Sequence, residues 1–321
     1  MRNVLLSRGA AKLVDECLSI KPGEKAAIIT DVDNISIAEL LALVISERGN
    51  EFTMHIMKSR RNHGEEPPES IAAAMCKADV VLMPTTYSLT HTKARQQAND
   101  TGARILSLPG YNEETLIGGG LEADFKKVRA TVEKVSKILD QGERARVTSS
   151  LGTDFTVDIK GKKSVPVTGV ADIPGSWAAP PAVETAVGPI EGTASGVVYV
   201  DGVLIPGGLV HGEVVIEFEK GRISKISGGR QAQDFEKALK DFNDPNVYYA
   251  VELGIGLNPK SALGRNYLED ETTYGTIHIG IGEGRTYGCA ISACAHLDMV
   301  LSVADLSVDG KTVVSNRQVI V

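Results

Sequence analysis

The chain contains six histidines, and two of them keep company that could do chemistry. His296-Leu297-Asp298 sets an imidazole and a carboxylate at i and i+2, which in a strand puts both side chains on one face. Met299, Val300 and Leu301 continue an apolar run, so the pair is expected at a strand start near a domain surface. His278 lies among glycines in Gly275-Thr276-Ile277-His278-Ile279-Gly280. Glu252 ends an apolar strand expected over 247–251 and opens Glu252-Leu253-Gly254-Ile255-Gly256-Leu257-Asn258-Pro259. Flanking glycines let a backbone crowd against another group, and a metal cluster is one candidate. Two imidazoles with a carboxylate are a ligand inventory for Zn, Mn, Co or mononuclear Fe(II). An HxD pair also arises often by chance, and a lone strand histidine is usually just packed. His55 reads as a strand residue, and His63, His91 and His211 as loop or helix-end residues. Cys289 and Cys294 are near His296 in sequence, but CxxxxC lies outside the usual structural zinc spacing, and free cysteine is more commonly a small buried hydrophobe. No GxSxG elbow supports a serine nucleophile.

The elements that must carry these residues change character along the chain. Beyond Arg144 the pattern is one of short alternating strands with glycine turns, such as 154–159, 196–200, 213–219 and 222–227, with one helix expected near 233–242. That half reads as a sheet-dominated α+β metal-binding catalytic domain, residues 144–321. Before it, helices and short apolar strands alternate. Strands are expected at 26–30, 51–57, 79–83 and 104–108, and helices over 4–18, 35–48, 69–77 and 91–98. Continuous apolar strands joined by helices build an open parallel α/β sheet, giving an N-terminal scaffold domain over residues 1–143 that ends in an amphipathic helix over 121–141. The turn after its first strand, Thr30-Asp31-Val32-Asp33-Asn34, has no GxGxxG and no phosphate loop, and its carboxylates would repel pyrophosphate.

Composition narrows the class. With 321 residues against about 150 per domain, two domains are expected. Hydrophobic residues at 42% and charged residues at 23% exclude a disordered chain. A net charge of −7 offers no basic footprint for nucleic acid or an anionic membrane. No run approaches the ~20 apolar residues of a membrane span. Four cysteines without a CxxC, and no signal peptide at the N-terminus, point to a cytoplasmic protein.

Several segments together resemble one family. In order they are Gly152-Thr153-Asp154, Val183-Glu184-Thr185-Ala186-Val187-Gly188-Pro189-Ile190-Glu191-Gly192, the Glu252 segment, Thr276-Ile277-His278-Ile279-Gly280-Ile281-Gly282 and His296-Leu297-Asp298. This order resembles the leucyl aminopeptidase family typified by aminopeptidases T and S. The resemblance implies that Glu184, Glu252, His278, His296 and Asp298 bind two divalent ions, Zn, Co or Mn, which acidify a bridging water and polarise a peptide or amide carbonyl. A further carboxylate would handle the proton, with Glu191, Glu269, Asp270 and Glu271 as candidates, and Tyr287 stands near the place of a tyrosine that the family carries. The resemblance also implies a homodimer closing the active-site chamber between subunits.

Three readings follow. The first is a metal-dependent hydrolase, an aminopeptidase-type exopeptidase acting on a peptide or other small-molecule substrate. The second starts from a fold that also resembles 2,5-dihydroxypyridine 5,6-dioxygenase: a single Fe(II) on His278, His296 and Asp298 would open a ring. The third is a non-catalytic relative that binds a small molecule. Trp177, the single tryptophan, lies in a Pro174-Gly175-Ser176 loop and is a candidate pocket wall.

Overall fold

Strands Ala26–Asp31, Val80–Met83 and Arg104–Ser107 are mostly apolar and are buried along their length, the polar Thr30 and Arg104 included. A computed structural model describes residues 2–321 of the chain. The three strands pair in parallel, with Phe52–Met57 added beyond the first and Trp177–Ala178 beyond the last. Helices Ile35–Glu47, Glu69–Met75 and Lys93–Asp100 make the connections. This is the expected open α/β sheet, its interior filled by residues such as Ile29, Met75, Val81, Met83 and Ile105.

Contacts divide the chain into two compact units, residues 1–125 with 168–182, and residues 126–167 with 183–321. The division departs from a single cut at 143/144 in two places. The helix Phe125–Gln141 belongs, from Lys126 on, with the second unit, where Ser136 Oγ shares a buried hydrogen bond of 2.7 Å with Thr185. The segment 168–182 returns to the first unit because Trp177 and Ala178 extend its parallel sheet. Trp177 is thus a strand residue of the scaffold unit, with the Arg95 guanidinium 5.2 Å from its ring, and not a loop wall.

The second unit is sheet-dominated, as its glycine-punctuated pattern implies. One antiparallel sheet contains Arg144–Thr148, Asp154–Asp158, Ser195–Tyr199, Val214–Glu219 and Arg222–Gly228. The other has seven strands, and four of them lie side by side in the order Glu184–Val187, Ala250–Gly256, Ile277–Gly282, His296–Leu301. Two elements differ from expectation. Residues 245–248 form a 3-10 turn rather than a strand, because Pro245 sits at its start and Asp244 caps it. The strand therefore begins at Ala250, and Glu252 lies inside it instead of at its end. Residues 267–272 form a short helix capped by the Asn266 side chain, too brief to announce itself by periodicity.

Candidate metal centre

A strand exposes alternate residues on each face, so Glu252, Gly254 and Gly256 share a face, as do His278, Gly280 and Gly282, and His296 and Asp298. Antiparallel register turns this into a pattern across the sheet. Glu252 stands opposite Gly280, which stands opposite Asp298. Gly254 stands opposite His278, Gly282 opposite His296, and Gly256 opposite Glu184. A bulge between Ala250 and Glu252 shifts the register, a device that re-aims a side chain.

The result is a buried cluster. His278 Nε2 lies 3.2 Å from Glu252 Oε1 and 3.4 Å from Glu184 Oε2. His296 Nε2 lies 3.0 Å from Glu252 Oε2 and 3.4 Å from Asp298 Oδ1. Among the described residues, the ligand atoms of Glu184, Glu252 and His278 lie within 4.8 Å of one another, and so do those of Glu252, His296 and Asp298. His278 belongs to the first of these groups, and His296 with Asp298 to the second. Glu252 stands between the two imidazoles and faces one with each oxygen.

The donors fit a divalent cation on two grounds. Glu184 Oε2 and Asp298 Oδ1, which face the imidazoles, are buried and make no hydrogen bond, a costly condition for polar atoms. The second ground is the proton inventory of His296. Its Nδ1 lies 2.8 Å from the Glu283 carbonyl oxygen, which can only accept, so Nδ1 holds a proton. In the neutral ring Nε2 then turns a lone pair toward two carboxylates. A cation relieves that opposition, and orientation of a ligating imidazole through its other nitrogen is the usual supporting contact. Without a cation, the rings themselves must take up positive charge. Burial disfavours the His278 imidazolium, but Glu252's hydrogen bond and the charges of Glu184, Glu252 and Asp298 outweigh it and raise the ring to about 10. Burial lifts Glu184 to about 7, against the pull of His278. Glu252 is equally buried, yet the hydrogen bonds from both imidazoles hold it down at about 2.

Of the residues expected to handle protons, two reach this cluster. Glu271 is half-buried on the short helix and is driven well above the carboxylate range by burial and by the charges of Asp298 and Glu184. Tyr287 is buried, its ring 5.8 Å from that of His296, and burial followed by the nearby carboxylates keeps its phenol protonated. The other three have structural work. Glu191 accepts from the Ala290 amide and pairs with Lys162. Glu269 accepts from Arg265 and Asn266, and Asp270 from the Gly264 amide, so both pin the loop before their helix. Cys289 is buried with Pro189 and Val251 carbonyls as partners, and Cys294 is exposed, so neither joins the ligand groups. Sequence reasoning missed Glu283, whose carbonyl orients His296 and whose carboxylate takes Arg285 and the Ala293 amide. Its one signal was its place directly after Gly282 at the end of the His278 strand.

A buried carboxylate–imidazole cluster on a mixed α/β frame defines a metal-dependent enzyme class, and comparison with known proteins narrows it. The 2,5-dihydroxypyridine 5,6-dioxygenase (NicX) family matches residues 12–321, and the chain belongs to that family. It is 30% identical over 253 residues to a 2,5-dihydroxypyridine 5,6-dioxygenase of Pseudomonas putida strain KT2440, covering 75% of this chain and 71% of that one. The solved structure of 2,5-dihydroxypyridine dioxygenase from the same strain superposes with a TM-score of 0.86 at 24% identity, covering 99% of this chain and 97% of that one. AmpT from Thermus thermophilus shares the fold as well, with a TM-score of 0.71 at 15% identity over 100% of both chains.

These findings support an enzyme and overturn the hydrolase reading with its metallopeptidase and aminopeptidase assignment: the family match and the curated relative are both dioxygenases. The cause of the error is physical. The order of ligand-bearing strands belongs to a frame that AmpT shares, and a frame does not determine the reaction run on it. Among the described residues no helix is long and apolar enough to cross a membrane.

Proposed function

We propose that this chain is a non-haem Fe(II) ring-cleaving dioxygenase acting on a hydroxylated pyridine, with the iron held by residues of the Glu184, Glu252, His278, His296 and Asp298 cluster. The observation that carries this reading is the family match over residues 12–321, a span that includes the whole cluster. Imidazole and carboxylate donors suit ferrous iron. Glu252, His296 and Asp298 form one three-donor set, and Glu184, Glu252 and His278 the other. When bound, the iron supplies the one-electron chemistry through which dioxygen reacts with a closed-shell ring.

The chain's own groups bind, orient and move protons. Burial of the donors keeps water from competing for them. The Glu271 carboxyl, which burial and the neighbouring carboxylates keep protonated, serves as a proton donor to a substrate oxygen. The Tyr287 phenol keeps its proton and serves as a hydrogen-bond donor to a substrate oxygen. The test is anaerobic loading with Fe(II), followed by oxygen-uptake measurements with 2,5-dihydroxypyridine and related hydroxypyridines. Uptake matched to loss of ring absorbance is expected. An iron-loaded protein that consumes no oxygen with any of these substrates would refute the reading.

A further inference from the structure

The glycines beside the ligands are of two kinds. A Cβ at Gly282 would meet the Ala295 carbonyl oxygen at 2.2 Å, and its φ of +97° suits glycine alone. A Cβ at Gly256 would meet the Thr273 carbonyl oxygen at 2.2 Å. Both are glycines for reasons of backbone. Gly254 and Gly280 differ: neither has a left-handed φ, and what a side chain there would strike is the cluster itself. A Cβ at Gly254 would lie 1.9 Å from Nε2, 2.2 Å from Cε1 and 2.6 Å from Cδ2 of His278, so the imidazole lies across the space above Gly254. A Cβ at Gly280 would lie 2.8 Å from Glu252 Cβ and Oε2 and 2.9 Å from His296 Cε1.

We infer that Gly254 and Gly280 are positioning residues of the metal centre, the floor on which His278, and Glu252 with His296, lie flat so that their donor atoms converge. Paired residues on neighbouring antiparallel strands ordinarily hold their Cβ atoms about 4.5–5.5 Å apart and stand upright beside one another. Removing every second side chain from one face lets the remaining ones lean across it. Each three-donor set then rests over its own glycine. In the first set it is His278 that lies over Gly254, with Glu184 and Glu252 reaching its Nε2, and in the second Glu252, His296 and Asp298 surround Gly280. An alanine at either position lifts the ring or carboxylate away from its partners while leaving the strand's backbone conformation available.

The inference rests on the reading that this cluster binds a metal, and the experiment separates the two. Mn(II), and Fe(II) under anaerobic conditions, are titrated into wild type, Gly254→Ala and Gly280→Ala by calorimetry. Each variant is expected to bind at least about tenfold more weakly, the scale seen when a group that orients a ligand is lost. The control for folding is a double-mutant cycle of thermal midpoints in chelator with Gly254→Ala, His278→Ala and the pair. Gly254→Ala lowers the midpoint in wild type and has little effect once the His278 ring is gone. If wild type binds no divalent ion, the metal reading fails and this inference with it. If wild type binds and the variants bind equally well, or if Gly254→Ala destabilises both backgrounds alike, the metal reading stands and the positioning role is refuted.

Discussion

Glu252 is the residue on which the cluster turns. Its two oxygens face the two imidazoles, and it belongs to both three-donor sets. Glu252→Gln is therefore expected to weaken Mn(II) or Fe(II) binding more than Glu184→Gln or Asp298→Asn, each of which alters one set only. Calorimetric titration of the three variants checks the ranking. A second prediction concerns pH. In the metal-free protein His278 is raised from 6.5 to about 10, so its stabilisation is complete below 6.5 and is lost as pH rises through 10. Glu184 is raised from 4.5 to about 7, so its contribution is complete below 4.5 and is lost as pH rises through 7. Metal binding needs both groups deprotonated. The gap in thermal midpoint between metal-loaded and chelated protein should widen from pH 6 to 9. A constant or narrowing gap would show that these groups do not face the ion.

At the scale of elements, the Tyr267–Thr272 helix separates positioning from chemistry. Its first turn carries Glu269 and Asp270, which bind the loop before it, while Glu271 reaches the cluster. Glu269 is fully buried and accepts from Ala262, Arg265 and Asn266. Glu269→Ala strands those donors and is expected to destabilise the protein by about 2 kcal/mol, read by urea unfolding of the chelated protein. Glu271→Gln leaves that anchorage intact and is expected to lower turnover with little change in stability. The three acidic residues in this stretch, Glu269, Asp270 and Glu271, looked equivalent as candidates because a six-residue helix has no periodicity to read. Longer elements were legible. The parallel strands announced themselves by unbroken apolar runs, and the second unit by alternation between glycine turns. Glu252 was misplaced at a strand end because Val247 to Val251 reads as one apolar run, while Pro245 and Asp244 make its start a capped turn.

All candidate ligands lie in the second unit, and the scaffold unit contains none of them. Metal stabilisation should therefore be local. At an ion concentration about 100-fold above Kd the gain is roughly 2.7 kcal/mol, confined to what unfolds with the site. Hydrogen exchange is expected to show added protection in strands 250–256, 277–282 and 296–301 and little change in strands 26–31 and 80–83. Protection spread evenly over both units would contradict this.

What the sequence determined by itself is local. It placed His296 and Asp298 on one face, set glycines at i+2 from Glu252 and His278, and supplied three carboxylates and two imidazoles able to hold a divalent ion. Side-chain alternation and apolar runs are properties of a few consecutive residues, so they can be read along the chain. Only the tertiary structure decided that the Glu184 strand lies beside the Glu252 strand, which follows it only after some 60 intervening residues, that each ligand faces a glycine, and that Glu252 joins the imidazoles. Strand order and register depend on pairing between distant segments, and a shift of one residue would turn every ligand to the other face. The reaction lies further out of reach of the motifs, since the same fold is shared by proteins as distant as 15% identity.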